Sequence, residues 1–264
     1  MKDDTAPCRS RARGRGELRL LAVGNSFSLN ATRRLPGLAA AAGRRLLPVN
    51  AWIGGCDLER HARHAAAHEA DPAGAEGRPY DGRSLRELLI QERWHIVTIQ
   101  QASPKSFRAE TFQPHADQLI AVIRRYAPRA EIVVHQTWAY RDDHHFWGMT
   151  GFGPDRMYAG LRRAYDAFAQ SRGLRLIPGG DAMQAARLAP SWGPFRPDPS
   201  FDPATAAYPA LPAEQRSLHA GYRWRQNGEN GGWKLEKDAF HANAQGEYLL
   251  ACVWFEFLFG TSVK

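Results

Sequence analysis

A chain of 264 residues, 44% apolar and 23% charged, can bury one substantial core and has an ordinary globular composition, which sets aside collagen-like and low-complexity classes. The net charge of +8 comes mostly from arginines scattered along helical segments; the one dense run is Arg9, Arg11, Arg13 and Arg15, so a solvated tail is expected and nucleic acid is not expected as a partner. Three cysteines (Cys8, Cys56 and Cys252) make no disulfide framework, no Cys/His spacing suits zinc, and no run of about 18 apolar residues predicts a membrane span.

Residues 1–16 read as a disordered basic tail, and residues 17–264 as a single domain. The tail has no apolar h-region, so the cytoplasm is the default location, with export expected only if the natural start differs. Leu18–Val23 is an apolar run of the kind that forms a central parallel strand, and it ends abruptly in Gly24-Asn25-Ser26. All three residues favour turns, but a serine just past the carboxyl end of such a strand also lies where open α/β sheets bind ligands. A helix is expected over 30–45, with Pro36 in its first turn. A second strand over 47–53 ends in Gly54-Gly55, where the missing side chain lets a backbone N–H approach a ligand closely.

The next expected helix runs over 58–69 and carries His61, His64 and His68 along one face, read as a polar face in preference to a metal site. A Gly- and Pro-rich loop over 71–83 and a short helix over 85–91 precede a strand over 94–99, with Gln100-Gln101 at its end. An amphipathic helix over 112–126 leads to a strand over 131–135 and on to Trp138 and Tyr140, which suit either a sugar platform or packing. Residues 141–154 are polar and aromatic and read as a long loop; their Asp142-Asp143-His144-His145 cluster is read as solvated and not as metal-binding. A helix over 156–173, a last strand over 174–177 and a helix from 181 to 187 follow. An irregular insertion near 190–235 ends in a small hairpin turning at Asn227-Gly228. Asp238-Ala239-Phe240-His241 and an apolar closing helix over 244–259 complete the chain.

Alternating strands and helices predict an α/β fold with a parallel sheet covered on both faces. A serine hydroxyl becomes a nucleophile only with a base in hydrogen-bond reach and a group that orients the base; Asp238 and His241, three residues apart, supply both types.

Four blocks then occur in order across most of 18–258: Gly24-Asn25-Ser26-Phe27-Ser28, Gly54-Gly55-Cys56-Asp57-Leu58-Glu59-Arg60-His61, Ile99-Gln100-Gln101, and Asp238 to His241. Together they resemble the SGNH (GDSL-type) hydrolase superfamily, and more closely an uncharacterised subgroup with Gly-Asn-Ser-Phe-Ser and a strand ending in Gln. The superfamily's usual first block is Gly-Asp-Ser, so Asn25 is a departure. The resemblance implies a three-layer α/β/α sandwich with a flavodoxin-like sheet, Ser26 as nucleophile, His241 as base and Asp238 as its orienting partner. It also implies an oxyanion hole from the N–H groups of Ser26 and Gly55. The superfamily's third donor, an Asn after the third strand, is absent, and Gln100 or Gln101 is expected in its place, whichever the register turns inward. Asn25, His61, Trp138 and Tyr140 are expected to contact substrate. The activity implied is ester hydrolysis on a small-molecule or oligosaccharide ester, first an O-acetyl ester on carbohydrate. The alternatives are a small-ester or lipase-like hydrolase with a greasy acyl channel, or a carbohydrate-binding protein that has lost activity. No cofactor or metal is expected, and the oligomeric state is left open.

Overall fold

The computed structural model describes residues 16–213, 216–228 and 231–263; the expected basic tail, with Cys8 and its arginines, lies outside them apart from Gly16. Strand β1 (Leu18–Gly24) has strand neighbours on both sides and helices over both faces, which is why its sequence is apolar apart from Arg19 rather than alternating. It pairs in parallel with β2 (Leu46–Trp52) and with β3 (Ile96–Ile99), and β4 (Glu131–His135) and β5 (Arg175–Ile177) extend the sheet. The order is β2-β1-β3-β4-β5, the flavodoxin-like arrangement, and its winding reverses between β1 and β3. The carboxyl ends of these two strands therefore flank the crevice that such sheets use for ligands.

Helices cover both faces. One group comprises α1 (Ser26–Thr32), α2 (Leu35–Ala41), α8 (Gly179–Leu188) and α9 (Ala244–Phe259). The other comprises α3 (Leu58–Ala70), α4 (Leu85–Ile90), α5 (His115–Tyr126) and α7 (Pro154–Ser171). Phe112, just ahead of α5, packs edge-on against Tyr165 of α7 at 5.2 Å. The expected helix over 30–45 is two helices: Pro36, lacking an N–H, sits in the first turn of α2 and the chain breaks just before it. The expected loop over 141–154 contains one short helix, α6 (Phe146–Thr150). The histidine face of α3 is not a solvated one: His61, His64 and His68 are all buried. Among the described residues no helix is long and apolar enough to cross a membrane.

The segment after α8 is irregular up to a separate antiparallel pair, β6 (His219–Gln226) and β7 (Trp233–Ala242). This hairpin is longer than the sequence suggests, and Asp238 and His241 lie within β7 rather than in a turn after it.

Candidate active site

Asn25 is the N-cap of α1: its backbone is extended and its Oδ1 accepts from the Phe27 N–H at 3.0 Å. Ser26 is therefore the first helical residue, where a backbone N–H has no intrahelical acceptor. The neighbouring Gly54-Gly55 turn is tied to the same place. Ile53 N–H donates to the Gly24 carbonyl at 3.2 Å, and Asn25 Nδ2 donates to the Cys56 carbonyl at 3.0 Å. Gly55 has φ +62°, a left-handed conformation that favours glycine, and it is exposed. Cys56 is buried beside it, and burial pushes its thiol up to about 12, far from a thiolate.

The imidazole comes from the hairpin. In a regular strand, residues three apart point to opposite faces, so Asp238 and His241 would not meet. Here the ladder is broken: two steps of β6, from His219 to Gly221, face four of β7, from Asp238 to Ala242. The extra residues fold around the Asp238 carboxylate, whose Oδ1 accepts from the His241 N–H at 3.0 Å. Its Oδ2 meets His241 Nδ1 at 2.8 Å, and His241 Nε2 meets Ser26 Oγ at 2.7 Å. Asp238 is buried, which by itself would raise its pKa, but the hydrogen bonds and charge of His241 outweigh that and hold it at about 2. The His241 side chain stays one-quarter exposed, so the Ser–His pair is open to a ligand. Among the described residues no three His, Cys, Asp or Glu side chains come together as a metal site.

The remaining predicted positions lie below this surface. Gln101 is buried: Nε2 donates to the carbonyl and Oγ1 of Thr111, and Oε1 accepts from the N–H groups of Leu58 and Ala102. With both amide hydrogens used, it joins α3 to the β3 loop and is not an oxyanion donor. Gln100 is also buried; Nε2 donates to Asn25 Oδ1 at 2.8 Å and Oε1 accepts from His135 Nδ1 at 3.0 Å. It therefore supports Asn25 from beneath instead of facing the ligand side. Asn25 itself is 2% exposed and works as a connector. His61 is fully buried, bridging the Tyr80 hydroxyl and the Gly24 carbonyl; burial lowers its pKa to about 4 and keeps it neutral. Trp138 is fully buried, stacked on Phe27 at 4.2 Å, and Tyr140 is buried with its hydroxyl on Ser103. Neither ring offers a face to a sugar; both brace the Ser26 helix and the hairpin.

Two residues of the site escaped the sequence reading. Asn30, one helical turn after Ser26, accepts from the Ala242 N–H at 3.2 Å and donates to Glu247 at 3.0 Å. The signal was a polar residue four positions from Ser26 on an inward-facing helix side. Trp52 pairs with Gly24 in register and is 42% exposed, an aromatic at the carboxyl end of an edge strand two residues before the glycine pair.

A five-stranded parallel sheet in this order, flanked by helices, is the fold of SGNH hydrolases. It is shared with a protein from Slackia heliotrinireducens proposed to be an SGNH hydrolase (TM-score 0.53, 19% identity, 92% of this chain and 100% of that one). It is also shared with a protein from Parabacteroides merdae ATCC 43184 proposed to be a GDSL-like lipase (TM-score 0.51, 12% identity, 94% and 98%). The chain belongs to the DUF4886 family of domains of unknown function, whose model matches residues 19–191. A crystal structure of a DUF4886 family protein from Bacteroides uniformis ATCC 8492 is similar at TM-score 0.67 and 25% identity, covering 93% of this chain and 84% of that one. No curated protein matches the sequence.

Proposed function

We propose that the protein is a serine ester hydrolase that works through Ser26, His241 and Asp238. The observation that carries this reading is the continuous hydrogen-bonded line from Asp238 Oδ2 through His241 to Ser26 Oγ, at 2.8 and 2.7 Å. Ser26 Oγ attacks the ester carbonyl carbon as its proton passes to His241 Nε2, and the carbonyl π electrons move onto oxygen. The oxyanion is held by the N–H groups of Ser26 and Gly55, each such donor typically contributing about 100- to 1000-fold in rate. Collapse breaks the bond to the alcohol, which leaves with the proton from His241. Water then repeats the sequence on the acyl-serine and releases the acid. Asp238 keeps the Nδ1 proton in place and stabilises the imidazolium.

For substrate we propose an O-acetyl ester on carbohydrate. The resemblance favours it, and exposed Trp52 beside the Gly54-Gly55 turn supplies an apolar ring face for a sugar ring. A fluorophosphonate should label Ser26, as read by peptide mass spectrometry, and Ser26→Ala should abolish both labelling and hydrolysis of an activated acetyl ester while circular dichroism stays unchanged. Label on another residue, or wild-type turnover in the alanine variant, removes Ser26 as nucleophile. An activated octanoyl ester turned over faster than the acetyl ester would replace the acetyl assignment with a lipase-like one.

A further inference from the structure

Beneath the Ser26 turn runs a line of buried amide-type hydrogen bonds whose direction is fixed by one backbone group. The Phe27 N–H can only donate, so the atom facing it is Asn25 Oδ1, and Asn25 Nδ2 faces the Cys56 carbonyl. The Gln100 atom facing Asn25 Oδ1 must then be Nε2, which leaves Gln100 Oε1 to accept from His135 Nδ1. Donation therefore runs one way, from His135 to Gln100 to Asn25 to Cys56. All of these side chains are 2% exposed or less. Burial lowers the His135 pKa to about 3, so the ring is neutral with its proton on Nδ1. Among the described residues His135 Nε2 has no partner, so the bond to Gln100 is what this buried ring contributes to hydrogen bonding. The backbone is shaped around the same line: a Cβ on Gly24 would lie 2.8 Å from Gln100 Cδ.

We propose that Gln100 and His135 are positioning residues that lock the Asn25 carboxamide and, through it, the relative placement of the Ser26 turn and the Gly54-Gly55-Cys56 turn. Asn25 bonds both turns, through Phe27 N–H and the Cys56 carbonyl. Because those turns carry the nucleophile and both backbone oxyanion donors, Gln100 serves the oxyanion hole indirectly, by holding its frame. Only the kinetic arm of the test below rests on the esterase reading.

The test uses Gln100→Leu, His135→Leu and His135→Asn, the last placing an amide N–H where Nδ1 donates. Hydrogen exchange of the Phe27 amide, referred to the Val97 amide in β3, needs no substrate. It should accelerate on the order of tenfold in both leucine variants, the scale of one lost buried hydrogen bond. His135→Asn should restore it toward wild type. On an activated acetyl ester both leucine variants should lower kcat with little change in KM, the double variant being no worse than the worse single one. Phe27 exchange that only follows Val97 overturns the proposal. So does a loss of kcat in Gln100→Leu with a silent His135→Leu, which would make Gln100 a direct oxyanion donor. If the wild type turns over no ester, the esterase reading fails and the exchange arm alone decides this one. If Gln100→Leu does not fold, the two His135 variants carry both arms.

Discussion

At the scale of single residues the site depends on one carboxylate being kept ionised in a buried place. Asp238 is buried, yet three hydrogen bonds converge on it, from the N–H groups of Phe240 and His241 and from the imidazole. Its folded pKa of about 2 lies below the value of about 3.9 expected in the unfolded chain, so the native state binds this proton less tightly. The stabilisation is therefore full above about pH 5 and fades as pH falls through about 4 towards 2, roughly 2 kcal/mol in all. Urea midpoints measured against pH should show a gap between wild type and Asp238→Asn that narrows as pH falls between about 4 and 2. A gap independent of pH throughout that range would mean the carboxylate is not held down by its neighbours. At neutral pH the same variant leaves His241 free to turn or to carry its proton on the wrong nitrogen, and kcat should fall on the order of 10³- to 10⁴-fold.

At the scale of elements, one short helix places both Ser26 and His241. Ser26 and Asn30 are one turn apart on α1, and Asn30 reaches the Ala242 N–H, next to His241, while donating to Glu247 of α9. The Asn30 amide supplies the acceptor for one and the donor for the other. Asn30→Ala leaves the buried Ala242 N–H unpaired, at a cost of about 1–3 kcal/mol, and loosens His241 relative to Ser26. Asn30→Asp keeps the acceptor but sets a second carboxylate against Glu247. Both should lower kcat more than they raise KM in steady-state assays of ester hydrolysis, with Asp also losing stability; equal kcat in all three proteins would show that the Ala242 contact is idle. The strands and α9 were legible because local pattern decides them: β4 and α9 occupy the residues their apolar runs predict. What was not legible depended on a partner. Whether Asp238 and His241 meet depends on where β6 begins and on the register in which His219–Gly221 faces Asp238–Ala242, which the β7 sequence alone does not specify. Trp138, Tyr140 and the two glutamines look the same in sequence whether they line a cleft or lie beneath it; Trp138 and Gln100 lie beneath it because they meet Phe27 and Asn25, remote in the chain.

At the scale of the whole molecule, the hydrogen-bonded line from Asp238 through His241 to Ser26 crosses between two separately built units: Ser26 follows the five-stranded sheet, whereas Asp238 and His241 ride on the two-stranded hairpin. Among the described residues the hairpin shares no ladder with the main sheet, so its position relies on docking contacts. Trp138 Nε1 donates to the Phe240 carbonyl, Arg141 N–H to the Ala239 carbonyl, and His219 Nε2 bonds the Ala139 carbonyl, each within 3.0 Å. Behind them Phe27, Trp138, Tyr140 and Phe240 pack as one aromatic group. A unit held by a few such contacts opens at lower free energy than a five-stranded core. Ester hydrolysis should therefore be lost at lower urea concentration than the far-ultraviolet dichroism, because undocking removes His241 from Ser26 while the sheet persists. Trp138→Phe keeps a ring against Phe27 but removes the N–H to Phe240, a bond of about 1 kcal/mol. It should move the inactivation midpoint down more than the dichroism midpoint and widen the interval between them. Coincident loss of activity and dichroism in both proteins would show instead that hairpin and sheet unfold as one cooperative unit, so that His241 leaves Ser26 only when the whole core melts.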